Sequence, residues 1–317
     1  MYSVVEFEVL EPATVQFPDH VKQLLFLNRA PLSIDIWSDQ NQEGMDLRQL
    51  VLLDTLIINN LHRGVLEVLR NSPIERFHRP IWLSDRRVDT AFLDDRILTR
   101  REVQEVCDSM SGDAIICLEF YSVALDQHID YYTDDLEIRN QYFEVSNRLK
   151  WNIYLPGHPK PFDTYSTVDT LFFPAITEGA FIPFAPGVDM LRELFYESGF
   201  KYGTYLVPVW NLANRVLYRG KDDTLKLAVK HTDEGDWESA FSIWNHLIGS
   251  ADSTLVSKAY HNLAVYYELE DKLDTASMML DLALEQDSLD QAIIYREELD
   301  VRLLNRMDIV KQVGGKR

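Results

Sequence analysis

The chain has 317 residues, 46% of them hydrophobic, with 31 basic against 51 acidic side chains and a net charge of −20. This length predicts two domains, because single hydrophobic cores stop growing at roughly 250–300 residues. The acidic surface argues against nucleic acid and anionic membranes as partners, since their phosphate groups are repelled by it. Two cysteines, Cys107 and Cys117, are too few for a disulfide framework or a multi-cysteine zinc site.

The two ends of the chain predict little regular structure. No apolar run approaches the roughly 20 residues that a membrane-spanning helix needs. The first residues lack the basic and hydrophobic regions of a signal peptide, so they are either a cytosolic start or a mature terminus. Residues 1–18 are predicted to form an extended leader, because Pro12 and Pro18 favour extended backbone before them. Residues 311–317 are predicted to be a frayed tail.

Residues 19–219 are predicted to form an α/β domain. Strands are expected where apolar residues run continuously or alternate, and helices where they recur every three or four positions. The predicted strands cover residues 21–28, 80–84, 113–125, 143–155, 164–173 and 207–218. The predicted helices cover residues 46–70, 99–112 and 191–206, and Thr99 with Glu102 forms a capping box at the start of the second. This order indicates an α+β fold with a mixed, partly antiparallel sheet flanked by helices.

Glycines Gly199 and Gly203 lie four residues apart on the third predicted helix. A helix places residues four apart on the same face, one turn from each other. Their missing side chains would let the helix lie close against the sheet.

Residues 220–310 are predicted to form an all-α domain of tetratricopeptide-like helical repeats. Ala240 and Ala276 lie 36 residues apart at positions where the 34-residue tetratricopeptide pattern places small residues. Turns between paired helices are expected at Gly235 and at Asp271. A further helix over residues 289–306 is expected to cover the open end of the array.

Five segments together resemble a family of uncharacterised Bacteroidetes lipoproteins that carry tetratricopeptide repeats. These segments are LEPATVQFP, LTRREVQEVCDSMSGDAIICLEFY, VPVWNLANRVLYR, GDWESAFSIWNHL and KAYHNLAVYYELEDKLDTA, and they are spread over most of the chain. In that family the α/β part is similar to the curli-secretion and TolB amino-terminal domains. Such domains bind other proteins rather than convert substrates.

The resemblance also implies a location. Members of the family begin shortly after a lipidated cysteine, and here Met1 stands directly before Tyr2, where that cysteine is expected. The chain is therefore expected to be a periplasmic, membrane-anchored lipoprotein whose only contact with the membrane is its lipid.

Catalytic motifs are missing from the sequence. It has no H-E-x-x-H pair, no G-x-S-x-G elbow, no phosphate-binding loop and no dinucleotide fingerprint. We therefore predict no catalytic residue, no metal site and no cofactor, and we predict that the protein is not an enzyme. Neighbouring acids such as Asp222 and Asp223 are expected in solvated loops, since 51 acids make such pairs common. Cys107 and Cys117 lie on apolar faces, where a thiol behaves as a small hydrophobe.

The helical repeats give the best functional indication. Stacked tetratricopeptide units accept peptides or partner helices on their concave face. Four side chains on the inner helices are predicted to contact a protein or peptide partner: Lys226, Lys230, Asn262 and Tyr266. With only two repeats, an equally good interpretation is a helical cap that merely completes the α/β domain. Two further alternatives are a glycan hydrolase that uses two carboxylates without a short motif, and a cytosolic scaffold.

Overall fold

The computed structural model describes residues 2–31, 47–84, 97–131, 139–174 and 184–314. Its elements in chain order are β1 (Tyr2–Glu11), β2 (Leu24–Asn28), α1 (Leu47–Asn71), β3 (Ile81–Ser84), α2 (Arg100–Met110), β4 (Ala114–Tyr131), β5 (Arg139–Tyr154), β6 (Asp163–Pro174), α3 (Phe184–Leu206), β7 (Val209–Tyr218), α4 (Asp223–Asp233), α5 (Trp237–Leu247), α6 (Ser253–Leu269), α7 (Leu273–Gln286) and α8 (Asp290–Val313). A short 3-10 turn covers Glu75–Phe77. None of the helices in these ranges is long and apolar enough to cross a membrane.

The chain divides into two compact units. We call Ala13–Val207 the sheet unit, and Met1–Pro12 with Pro208–Arg317 the helical unit. This division differs from the domains expected from the sequence, in which residues 19–219 form one domain. The first twelve residues and β7 belong to the helical unit, because β1 pairs with β7 rather than with the central sheet.

The sheet unit is built on five strands in the order β3-β2-β4-β5-β6. β3 and β4 lie parallel to β2 on either side of it, whereas β5 and β6 continue the sheet antiparallel. The α+β fold class with a mixed, partly antiparallel sheet is therefore confirmed. The predicted capping box is also confirmed, since Thr99 and Glu102 bond to each other's backbone N–H at the start of α2.

One glycine on α3 and one on α1 let these helices touch backbone to backbone. A Cβ on Gly199 would lie 2.1 Å from the carbonyl oxygen of Leu61, and one on Gly64 would lie 2.1 Å from that of Tyr196. Gly203 faces the side chain of Val68 in the same way. The glycines were expected to bring α3 close to the sheet, but the surface they approach is α1.

The helical unit begins with a two-stranded ribbon, formed by β1 and β7. Ten residue pairs join the strands antiparallel, from Tyr2 opposite Tyr218 to Glu11 opposite Val209. The predicted extended leader is therefore a strand over Tyr2–Glu11, paired with β7. Its side chains alternate between exposed and partly buried, and the inward residues Val5 and Phe7 pack on the helical core. An isolated two-stranded ribbon is marginally stable in water, so this packing supplies its support.

Five helices complete the helical unit, and each packs against the next along the chain. The α4–α5 turn contains Gly235 at φ +80°, and the α6–α7 turn contains Asp271 at φ +57°, as the repeat predicted. The small residues Ala240 and Ala276 are fully buried at equivalent places in α5 and α7. The predicted final helix is present as α8. The helical hairpins are thus confirmed, whereas their assignment as tetratricopeptide units stays a prediction.

Candidate functional site

The inner helices α4 and α6, together with α8, pack against the ribbon. The side chain of Asn262, on α6, accepts a hydrogen bond of 2.7 Å from the N–H of Tyr218 and donates one of 2.9 Å to its carbonyl oxygen. On the residue directly before it, the Nε2 of His261 lies 2.8 Å from the carbonyl oxygen of Val216. The side of the array that was expected to receive a partner therefore holds two strands of the same chain.

A buried ionic cluster fastens β7 to the helices. Glu268, on α6, is 1% exposed and accepts two hydrogen bonds from Arg215, at 2.7 and 2.9 Å. It also accepts one of 2.6 Å from Tyr295 and one of 2.8 Å from Arg302, both on α8. Arg215 bonds in addition to Glu298. Every lone-pair direction of the Glu268 carboxylate is thus used, as a buried charge requires.

The surroundings set the protonation states in this cluster. Burial by itself raises the pKa of Glu268, but the hydrogen bonds and charge of Arg215, with those of Tyr295 and Arg302, outweigh it and lower that pKa. Burial raises the pKa of Tyr295 well above its usual range. Burial lowers the pKa of His261 to about 4, so its imidazole is neutral at physiological pH. The cluster is therefore a fixed network of charged side chains in which Tyr295 is neutral, with neutral His261 beside it, and it has a structural role.

The four predicted contact residues have different environments. Asn262 is fully buried and its amide is occupied by Tyr218, which leaves no group for a partner. Tyr266 is 7% exposed, and its hydroxyl donates a 3.1 Å hydrogen bond to Glu238. Lys226 pairs with Asp223 at 2.6 Å, and the exposed Lys230 lies 3.6 Å from Glu234. The structure does not bring these four side chains together as one binding surface.

A shallow pocket of about 420 Å³ lies on α4 and α5. It is lined by His231, Glu238, Ser239, Ser242 and Ile243. Glu238, the single carboxylate among the lining residues, accepts the hydrogen bond from the Tyr266 hydroxyl. Tyr266, one of the four predicted contact residues, therefore lies beside this pocket. One carboxylate is not the pair that hydrolysis of a glycosidic bond requires.

Well-buried carboxylates in the sheet unit are held by partners of their own. Asp54 accepts a hydrogen bond from Tyr121. Glu119, at a register shift in β4, accepts bonds of 3.1 Å from Arg29 and 2.6 Å from Tyr154. In the part of the chain that the structure describes, no three His, Cys, Asp or Glu side chains are grouped to hold a metal ion.

Both cysteines are buried and free. Burial raises the pKa of the Cys107 thiol to about 11 and raises that of Cys117 as well. A thiol with a raised pKa is a poor nucleophile at neutral pH. Cys107 and Cys117 pack in the core between α2 and the sheet, as expected of small hydrophobic residues.

The outward face of the ribbon is the surface that sequence reasoning missed. Strand alternation places Tyr2, Val4, Trp210 and Leu212 on this face, with exposed fractions of 41–66%. The exposed acids Glu6 and Glu8 and the exposed Asn214 lie among them. The local signal was the alternation of apolar and polar residues from Val5 to Val9, but Pro12 and Pro18 after it favoured the interpretation as a leader. We call these seven residues the ribbon face.

Two family models match separate stretches of the chain. Residues 68–218 match one described as Domain of unknown function (DUF8603), and residues 226–300 match one described as Domain of unknown function (DUF6340). The boundary between the two matches lies between β7 and α4, although β7 packs with the helices. No curated protein matches the chain.

Three solved structures resemble the chain distantly. A protein described as a neuraminyllactose-binding hemagglutinin homolog from Helicobacter pylori is 11% identical, with a TM-score of 0.31 over 59% of this chain and 84% of that chain. The PelC dodecamer from Paraburkholderia phytofirmans is 8% identical, with a TM-score of 0.22 over 63% and 96%. A protein from Xanthomonas campestris that matches DUF330 is 9% identical, with a TM-score of 0.25 over 62% and 89%. Similarities this distant indicate no common activity.

Proposed function

We propose that this chain is a non-enzymatic protein-interaction protein of the bacterial cell envelope, held at a membrane by a lipid close to Tyr2. The observation that carries the proposal is the ribbon face. Its exposed apolar side chains stand on a backbone that ten strand pairs and the helical core hold in place. Exposed apolar side chains on a rigid support are typical of protein interaction sites, and Trp and Tyr are enriched there.

The chemistry of the ribbon face defines the partner. Trp210 and Leu212 on β7 supply apolar contact area, whereas Glu6 and Glu8 on β1 supply negative charge. The net charge of −20 extends that negative field beyond the ribbon. The complementary partner is a protein segment that combines apolar with basic side chains. Its association rate is expected to fall as salt is added, because opposite charges steer the encounter.

The resemblance to envelope lipoproteins supports the location. Intact mass and membrane partitioning of the native protein, taken from its own cells, test it directly. A diacylated or triacylated cysteine directly before Tyr2 supports the envelope location. An unmodified methionine in the soluble fraction contradicts it and favours the cytosolic scaffold.

Site-specific photo-crosslinking tests the ribbon face. A photoreactive residue is placed at Trp210 in living cells, and a matched one at Val168, which is 60% exposed on β6 of the sheet unit. A protein that is cross-linked from position 210 but not from position 168 is then purified. Its affinity for the native chain is measured. Binding that Leu212→Asp abolishes and Val168→Asp preserves supports the proposal. Equal cross-linking from both positions, or binding that survives Leu212→Asp, contradicts it.

A further inference from the structure

The outward side of α8 is unusually apolar for the last helix of an array. The helix is seated on the core through Ala292, Tyr295 and Leu299, which are at most 4% exposed. Large apolar side chains on its other sides are 42–77% exposed: Ile293, Ile294, Val301, Leu304, Met307 and Val310. Terminal helices of repeat arrays normally present a polar outer face to solvent. These side chains therefore suit a partner helix better than they suit water.

The spacing on this side of α8 is that of a helix–helix seam. Ile294, Glu297, Val301, Leu304, Asp308 and Lys311 follow one another at intervals of three and four. Such intervals keep side chains on one stripe of a helix, where a second helix can pack along them. Leu304, at 77%, is the most exposed of the apolar members and lies near the middle of the described stripe.

The charges on α8 match those of a second α8 that runs in the opposite direction. On the outward stripe the first half of the helix carries Glu297, and the second half carries Lys311 beside Asp308. The charges of Glu298, Arg302 and Arg306 are taken up by Arg215, Glu268 and Asp274 of the same chain. Antiparallel pairing therefore brings Glu297 of each helix to Lys311 of the other. Parallel pairing brings like charges together, and like charges across an interface disfavour it.

We propose that two copies of this chain associate through an antiparallel pair of α8 helices, with Leu304 on the twofold axis. This register places Val301 of each copy opposite Met307 of the other, and Glu297 opposite Lys311. Asp300 comes opposite Asp308, but Asp300 already pairs with Arg296 of its own chain at 2.7 Å, and Asp308 shares Lys311 of its own chain, at 3.2 Å, with Glu297 of the other copy. The interface is closed, because a twofold axis uses the same surface on both copies.

A membrane surface is the other occupant that an exposed apolar helix suggests. Helices that lie on anionic lipid carry Lys and Arg beside their apolar stripe. The stripe on α8 instead includes Glu297 and Asp308, and the whole chain has a net charge of −20. The charges therefore favour the second copy.

Sedimentation of the full chain over a wide range of concentration tests association. The native chain is expected to shift from 36.9 kDa towards twice that mass. Leu304→Asp is expected to stay at the lower mass, and Leu227→Asp, at a 48% exposed position on α4, is expected to behave as the native chain. Circular dichroism confirms that both variants fold. A native chain that stays monomeric throughout overturns the proposal, whether or not vesicles or another protein bind to α8.

Charge exchange tests the register. Glu297→Lys and Lys311→Glu are each expected to weaken dimerisation, and the double variant is expected to restore it. Failure of the double variant to recover contradicts the pairing of these two positions.

Cross-linking tests the direction of the helices. Leu304→Cys is expected to form a disulfide between copies, because the two positions meet at the axis. Ile294→Cys is not expected to do so, because its two copies lie about 30 Å apart along antiparallel helices. Disulfides at both positions would indicate parallel helices and overturn the proposal.

Discussion

Asn262 and Tyr218 are joined by two hydrogen bonds, in which one side-chain amide occupies both the N–H and the carbonyl group of a strand residue. A side-chain amide carries a donor and an acceptor side by side, so it can bond to both groups at once. Asn262 thus gives Tyr218, the last residue of β7, the backbone partner that a further strand would give. A helix of the array binds an extended segment of its own chain by this means.

Replacement of Asn262 by Ala should destabilise the protein by about 2 kcal/mol or more, because it leaves two buried backbone groups unsatisfied. Urea-induced unfolding, followed by circular dichroism, measures this loss. Asn214→Ala is the matched control, since Asn214 is exposed on the ribbon face. Equal stability of the two variants would show that the bonds to Tyr218 contribute nothing.

The local pattern of the sequence predicted the type of nearly every element in the described part of the chain. Apolar spacing located α1, α2 and α3, and the 36-residue repeat located the turns at Gly235 and Asp271. These signals are local, since each depends on residues within a few turns or one hairpin. The fold class followed from the order of the elements.

Local sequence patterns could not predict which strands pair when the strands are far apart in the chain. β1 and β7 are about 200 residues apart in the chain, and no periodicity indicates that one completes the other. Asn262 was predicted to contact a partner because of its place on an inner helix, and the structure places it on α6. Its amide there binds the backbone of Tyr218, which belongs to the same chain.

The ion pair between Glu268 and Arg215 should be among the most sensitive positions of the helical unit. Glu268→Gln keeps the shape of the side chain but removes the charge that balances Arg215 and Arg302. Breaking a buried pair costs about 3–5 kcal/mol, because the remaining charges stay buried. We expect a loss of about 3 kcal/mol in the free energy of unfolding, measured with urea at neutral pH.

An exposed ion pair provides the control for this loss. Asp223 lies 2.6 Å from Lys226 with 95% of its side chain exposed. Asp223→Asn should leave stability almost unchanged, since exposed pairs contribute little. A Glu268→Gln loss no larger than that of Asp223→Asn would mean that the buried cluster is not needed to hold β7.

The contact between α1 and α3 should tolerate no side chain at Gly199. A Cβ there meets the carbonyl oxygen of Leu61 at 2.1 Å, and backbone cannot move aside as a flexible side chain can. Gly199→Ala should therefore cost about 1–3 kcal/mol by overpacking, in spite of the higher helix propensity of alanine. Gly249→Ala is the control, because its nearest neighbour is 3.6 Å away. Thermal unfolding of the two variants tests this, and a stable Gly199→Ala protein would mean that the helices can separate.

His261 should make the stability of the protein depend on pH. Burial lowers its pKa in the folded chain to about 4, whereas the unfolded chain has the ordinary value near 6.5. As pH falls below 6.5, His261 is protonated in the unfolded chain but stays neutral in the folded chain. The free energy of unfolding therefore decreases until the pH reaches about 4. Between pH 7 and pH 5 this difference amounts to about 2 kcal/mol.

A single substitution separates this effect from the titration of the many carboxylates. His261→Gln keeps a donor for the carbonyl oxygen of Val216 but removes the titrating ring. Unfolding in urea at a series of pH values should therefore show a shallower loss for His261→Gln than for the native chain, by about 2 kcal/mol at pH 5. Below pH 4 the two curves should run parallel, because both states of the native chain are then protonated. Parallel curves between pH 7 and pH 5 would mean that His261 is protonated in the folded protein as readily as in the unfolded chain. His261 would then be less buried than its contacts with Val216 and Tyr218 imply.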